Sequence, residues 1–134
     1  MTLLIDTSVL TRTRRQPVVD QLTLLHREGL ARASITDLEL GFSARSAGEW
    51  DAIQAGLVAL SPIDVEPHHL RRAAQVQRAL AARGLRKRKL PDLLVAACAE
   101  DHGLTVVHYD ADFDHIGTVT EQPMRWIVPA GSID

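Results

Sequence analysis

The chain has 134 residues, of which 46% are hydrophobic and 24% charged, with a formal net charge of −2. Such a composition belongs to a globular chain able to bury its own core. It excludes a bilayer span, since no apolar run approaches the ~20 residues needed, and leaves any nucleic-acid contact to local basic patches rather than overall charge. The single cysteine, Cys98, excludes an internal disulfide and fits a reducing, cytoplasmic setting. It sits in the apolar run Leu93–Ala99 and reads as a packed apolar residue. The N-terminus has neither a basic leader region nor a cleavage site, so no secretory signal is expected.

The chain begins with Leu3-Leu4-Ile5-Asp6-Thr7-Ser8, a short aliphatic run ending in an acid. An unbroken apolar run suits a strand buried on both faces of a parallel sheet. An acid at its carboxyl end either caps the next helix or faces the crevice where open α/β sheets bind ligands. Thr7 to Arg15 reads as polar and basic. Pro17 opens a helix with Val18, Val19, Leu22, Leu25 and His26 at helical spacing, stopped by Gly29. Ala31–Ile35 is a second strand. Thr36 and Glu39 have capping-box spacing and start a second helix, which Gly48 breaks. Trp50, Ile53, Leu57 and Leu60 mark another helix, and Ser61–Val65 an extended connection.

Pro67 starts the next helix, with Leu70, Ala73, Ala74, Val76, Gln77 and Leu80 facing inward and Gly84 as its end. Arg86-Lys87-Arg88-Lys89 forms a basic loop. Pro91 then opens a helix whose segment Leu93–Ala99 is apolar on every side, hence the most buried; Glu100, Asp101 and His102 return it to solvent and Gly103 stops it. Leu104–Val107 is a third strand, followed by His108-Tyr109-Asp110-Ala111-Asp112-Phe113-Asp114. Arg125–Val128 is a final short strand. Strands alternating with helical patterns define an α/β class with a mainly parallel central sheet flanked by helices, and residues 1–134 read as one domain.

Four acid-bearing places stand out along this order: Asp6, Glu39, Asp92 and the pair Asp110/Asp112. Asp6 and Asp110 each follow an apolar strand. Glu39 and Asp92 lie in the first turns of helices. In an alternating α/β chain all four places can meet at the carboxyl edge of one sheet. Each acid alone has a plainer reading: a helix cap for Asp6 and Glu39, a favourable first-turn acid for Asp92, a solvated turn for Asp112 and Asp114. Together, clustered carboxylates repel until something positive joins them. Mg²⁺ is the natural neutraliser, with Mn²⁺ an alternative, and such a site performs phosphoryl chemistry. Structural-zinc spacing, a phosphate-binding GxxxxGK[ST] loop, GxGxxG and GxSxG are all absent.

LLIDTSVL, TDLELGFSAR, KLPDLLVAACAE and LTVVHYDADFDHI, in that order, resemble the PIN-domain ribonucleases, particularly VapC-type toxins of bacterial toxin–antitoxin pairs. The resemblance spans Thr2 to Ile127. It implies a single PIN-like nuclease domain, a Mg²⁺-dependent endoribonuclease activity, RNA as substrate, a cognate antitoxin protein as partner and a homodimer as the assembly. By the same resemblance Asp6, Glu39 and Asp92 are site acids, with Asp6 and Asp92 on the metal and Glu39 orienting water. Either Asp110 or Asp112 is the fourth acid, and Ser8 is a polar neighbour of the metal. His108 departs from the family, many of whose members carry Thr there. Arg12, Arg14, Arg15, Arg86, Lys87, Arg88 and Lys89 are the local candidates for RNA contact, their plainer reading being two solvated loops. A stand-alone RNA-processing nuclease and a catalytically weak binding module are the alternatives.

Overall fold

The computed structural model describes residues 2–134, Met1 lying outside the described part. Five strands form one sheet: β1 (Leu3–Ile5), β2 (Leu30–Ala33), β3 (Ser61–Ile63), β4 (Thr105–His108) and β5 (Met124–Trp126). Their order across the sheet is β3-β2-β1-β4-β5. Every pairing is parallel, with Leu4 opposite Ala31 on one side and Val106 on the other. The fold class is therefore α/β with a parallel central sheet.

The pleat divides the core. Leu4, Ala31, Ala33 and Val106 point to one face, beneath α5 (Pro67–Ala82), α6 (Leu90–His102) and α7 (Asp112–Thr120). Leu3, Ile5, Leu30 and Val107 point to the other, against Val9 of α1 (Thr7–Leu10), Val18 and Leu25 of α2 (Gln16–Leu25), and the loop residues Leu57 and Leu60. This alternation follows from the two-residue period of a strand. α6 carries seven buried residues, from Asp92 to Ala99, which makes it the inner helix of its layer as its all-round apolar sequence requires.

Several elements differ from the sequence expectation. Thr7 to Leu10 is a short helix, because the Asp6 carboxylate caps it through the Ser8 N–H. α3 (Ser34–Gly41) starts before Thr36, directly out of β2, with Ala33 as its capping residue. The Thr36–Glu39 capping box does not form, and Glu39 falls in the second turn. Gly48 breaks nothing: it lies inside α4 (Ala47–Ala55), whose start is set by the Ser46 hydroxyl accepting the Glu49 N–H at 3.1 Å. The extended connection at Ser61 is the edge strand β3. On α5, His69, Ala73, Val76 and Leu80 face inward, whereas Leu70, Ala74 and Gln77 lie on the solvent flank. Asp112 and Asp114 sit in the first turn of α7 rather than in a solvated turn, where the helix dipole favours acids.

Candidate metal centre

In a parallel sheet every strand ends at the same edge, so chain order alone delivers the acids there. Asp6 is the residue after β1. Glu39 projects from α3, which follows β2. Asp110 lies just beyond β4, and Asp112 opens α7. Asp92 lies in the first turn of α6, the helix that leads into β4. Oxygens of Asp92, Asp110 and Asp112 lie within 4.8 Å of one another.

Asp6 and Asp92 are 2% and 4% exposed. Asp6 Oδ2 accepts the Ser8 N–H, but Asp6 Oδ1 and Asp92 Oδ2 are buried with no hydrogen-bond partner among the described residues. Buried carboxylate oxygens left unpaired are costly. A hard divalent cation takes such oxygens directly, so the donor set fits a divalent metal.

The electrostatics agree with this geometry. Burial, then the neighbouring Asp6, push the Asp92 carboxyl up to about 8, with Lys89 opposing. Burial raises Asp6 as well, while the Ser8 side chain and backbone pull it back. Glu39 is raised by its partial burial and by Asp6, against a lowering hydrogen bond from Thr7. Asp110 is different. Burial would raise it, but the Lys89 ammonium and the Asp112 N–H outweigh that and hold it below the ordinary value. Asp110 Oδ1 accepts the Asp112 N–H at 2.9 Å, so the two acids share one turn.

Thr7, which the sequence pattern does not single out, ties the site together. Its hydroxyl donates to Glu39 Oε1 at 2.7 Å and lies 3.0 Å from the Thr36 hydroxyl, which is fully buried. The only sequence signal for it is a hydroxyl residue beside the strand-end acid. Ser8 accepts the Tyr109 N–H at 2.9 Å and gives its own N–H to Asp6, bracing β1 against the end of β4.

His108 is fully buried between Phe113 and Trp126, each with ring centroids 5.0 Å away. Burial lowers it to about 4, so the ring is neutral at physiological pH. Its Nδ1 accepts the Asp110 N–H at 3.2 Å, a bond that shapes the acidic turn.

The basic candidates separate into anchored and free groups. Arg88 is bound to Asp112 at 2.8 Å, and Lys89 to Asp110. Arg12 donates to the Ser8 carbonyl at 2.7 Å, stacks on Tyr109 with 4.9 Å to the ring centroid, and pairs with Asp134 at 3.3 Å. Arg14, Arg15, Arg86 and Lys87 are exposed.

A second group, His68, His69 and Asp101, lies at the far end of α6, about 14 Å along the helix from Asp92 at 1.5 Å per residue. Metal binding there is chemically disfavoured. The buried His69 accepts the Glu66 N–H on Nδ1 at 2.9 Å, so its proton is on Nε2, which donates to Asp101 at 2.9 Å. That ring has no lone pair left for a cation. The two histidines instead hold the Asp101 carboxyl down to about 2.

The parallel α/β sheet gathers at one edge an acidic cluster that could hold a divalent metal, and a PIN-domain family model matches residues 3–119. The chain belongs to the PIN-domain family, and within it to the VapC group. Ribonuclease VapC51 of Mycobacterium tuberculosis (strain ATCC 25618 / H37Rv) is 53% identical over 132 residues, covering 98% of this chain and 96% of the relative. Ribonuclease VapC21 of Mycobacterium tuberculosis (strain CDC 1551 / Oshkosh) is 40% identical over 132 residues, covering 96% of each. Among solved structures, DNA-bound VapBC from Salmonella typhimurium superposes with a TM-score of 0.79 at 19% identity, covering 96% of this chain and 99% of that one. VapBC-5 from Mycobacterium tuberculosis, of the VapBC family of toxin–antitoxin systems, gives 0.70 at 21%, covering 94% and 99%. These two likenesses establish the shared fold.

Proposed function

We propose that this chain is a Mg²⁺-dependent endoribonuclease and the toxin of a toxin–antitoxin pair, folded as one domain over residues 1–134. The observation that carries the reading is the pair of buried carboxylate oxygens of Asp6 and Asp92 that lack a hydrogen bond, with Asp110 and Asp112 close to Asp92 and Glu39 near enough to Asp6 to feel its charge. The VapC relatives bear the name ribonuclease, and neighbours in fold are toxin–antitoxin complexes, which supports both halves.

In this reading Asp6 and Asp92 hold Mg²⁺ or Mn²⁺, and Asp110 or Asp112 completes the donor set. A cation bound there would supply positive charge against a phosphodiester and would lower the pKa of a water toward neutral pH. Glu39, held by the Thr7 hydroxyl, would orient a water at the site. Ser8 keeps the Asp6 carboxylate aimed by holding one of its oxygens. Arg12, Arg14, Arg15 and the 86–89 loop offset the negative charge that would otherwise repel RNA.

An antitoxin restrains such a nuclease by apolar docking together with a basic group aimed at the carboxylates. The expected assembly is a homodimer. Leu38 and Phe42, one helical turn apart and 66% and 92% exposed, offer apolar surface for it.

Cleavage of RNA with and without Mg²⁺, by wild type and by Asp6→Asn and Asp92→Asn, tests the nuclease reading. Both substitutions remove a charged donor and keep the shape, so activity falls to background in folded protein. Full cleavage by both variants refutes the site. Co-expression with the product of the adjacent gene tests the pairing: the complex forms and cleavage stops. A chain that stays fully active with its neighbour present is a stand-alone nuclease.

A further inference from the structure

The Lys89 side chain reaches into the same niche that would hold the metal. Its ammonium bonds Asp110 Oδ2 directly and lies 3.7 Å from Asp92 Oδ2 and 3.9 Å from Asp112 Oδ2. Those are the three acids whose oxygens lie within 4.8 Å of one another. Asp92 Oδ2, moreover, is the buried oxygen without a hydrogen bond. A divalent cation and this ammonium therefore draw on one set of donors.

The neighbouring basic residue behaves differently. Arg88 is clamped, its guanidinium shared between Asp112 and the Arg86 carbonyl. Lys89 carries a compact charge on a flexible stem and its side chain is 58% exposed. A point charge on four methylenes can move between anions, where a planar guanidinium held by two partners stays. Lys89 stands immediately before α6, two residues from Pro91 and three from Asp92, so a swing of its side chain leaves the backbone in place.

We propose that Lys89 works in two alternating positions: as the counter-ion of Asp92, Asp110 and Asp112 when no divalent cation is bound, and as a phosphate-gripping residue once a divalent cation has taken those carboxylates. The second position rests on the nuclease reading above. A metal that binds the acids displaces the ammonium, and the anion that arrives next at the mouth of the site is the phosphodiester. The Lys89 side chain is 58% exposed, so the freed ammonium faces the solvent from which the phosphodiester comes and adds a positive charge to its oxygens. The negative charge of the niche is thus partly offset in the resting protein, and RNA gains its extra cation only at a metal-loaded site.

The test needs a metal readout that is independent of cleavage. Mn²⁺ binding to metal-stripped protein, followed by loss of the free-ion electron paramagnetic resonance signal, supplies it without RNA. Lys89→Met keeps the stem and removes the charge. It is expected to bind Mn²⁺ about three- to tenfold more tightly, the size of a partly exposed ion-pair network, while Lys89→Arg stays near wild type. At saturating Mg²⁺ the same Lys89→Met protein is expected to cleave RNA with kcat/KM at least ~10-fold lower. Opposite signs on the two readouts are the signature, since a merely structural lysine would lower both. Unchanged or weaker Mn²⁺ binding in folded Lys89→Met overturns the counter-ion position. Unchanged cleavage overturns the phosphate position. If wild type shows no metal-dependent cleavage, the nuclease reading and the phosphate position fall together, and Mn²⁺ affinity still decides the counter-ion position.

Discussion

The Asp92 carboxylate is the most informative single group to alter, because burial makes it a source of strain in the metal-free fold. Its carboxyl rises from the ordinary 3.8 to about 8. The folded state therefore binds more protons than the unfolded state between those two values. The Asp92 contribution to stability falls as pH rises from about 4 to about 8, the reverse of a salt-bridged acid. At about 1.4 kcal/mol for each tenfold change in proton affinity, the ceiling on this penalty is ~6 kcal/mol. Asp92→Asn removes the charge but also a partner of Lys89 and the acceptor geometry, so a net gain of about 2 kcal/mol at pH 8 is the reasonable expectation. For 134 residues, unfolding entropy near 2.1 cal/mol/K per residue turns that into a rise of about 7 °C in Tm. The assay is thermal melting of EDTA-treated wild type and variant from pH 4 to pH 8.5. The gap should vanish near pH 4 and open as pH rises. Excess Mg²⁺ should stabilise wild type, by about 2.7 kcal/mol at a hundred times its Kd, and leave Asp92→Asn unmoved. A variant that melts lower at pH 8, or a gap that does not change with pH, refutes the idea that a buried charge at this position is what the metal relieves.

Other outcomes follow from the same contacts. Thr7→Val should lower cleavage about tenfold or more by freeing Glu39, and Thr7→Ser should restore most of it; equal rates for valine and wild type would show that the Thr7–Glu39 bond is incidental. Glu39→Gln keeps the hydrogen bond from Thr7 and loses the charge, so a rate loss of ~10²-fold is expected, and normal turnover would remove Glu39 from the chemistry. Cys98 is fully buried and its thiol is pushed up to about 11 by burial, then by Asp101, so it should resist a disulfide reagent at pH 8 until the protein unfolds; rapid labelling of folded protein would contradict this. Phe42→Ser should shift the sedimentation mass toward the monomer, and an unchanged mass would place the homodimer contact elsewhere.

The amino-acid order carried a good deal of this protein by itself. Short, mainly apolar runs at Leu3–Ile5 and Leu104–Val107, separated by helical patterns, point to a parallel sheet, because such strands suit cover on both faces. Once the sheet is parallel, Asp6 and Asp110 share an edge by chain order alone. The apolar run Leu93–Ala99 within α6 announced its burial for the same reason. Local signals failed where two elements meet without a loop. Thr36 and Glu39 have the spacing of a cap, yet α3 begins two residues earlier because β2 runs straight into it, and that shift turns Thr36 and Glu39 toward Thr7. Sequence gives residue spacing, but which face of a helix meets which neighbour depends on where the preceding strand lets the helix begin. The choice between plain and chemical roles was likewise tertiary. Asp6 does cap a helix, through Oδ2, and only the packing around it leaves Oδ1 buried and unpaired. The basic loop at 86–89 reads as solvated charge along the chain; folding brings Arg88 and Lys89 onto Asp112 and Asp110, over twenty residues away. Long-range electrostatics and desolvation are sums over neighbours in space, and no pattern along the chain contains them.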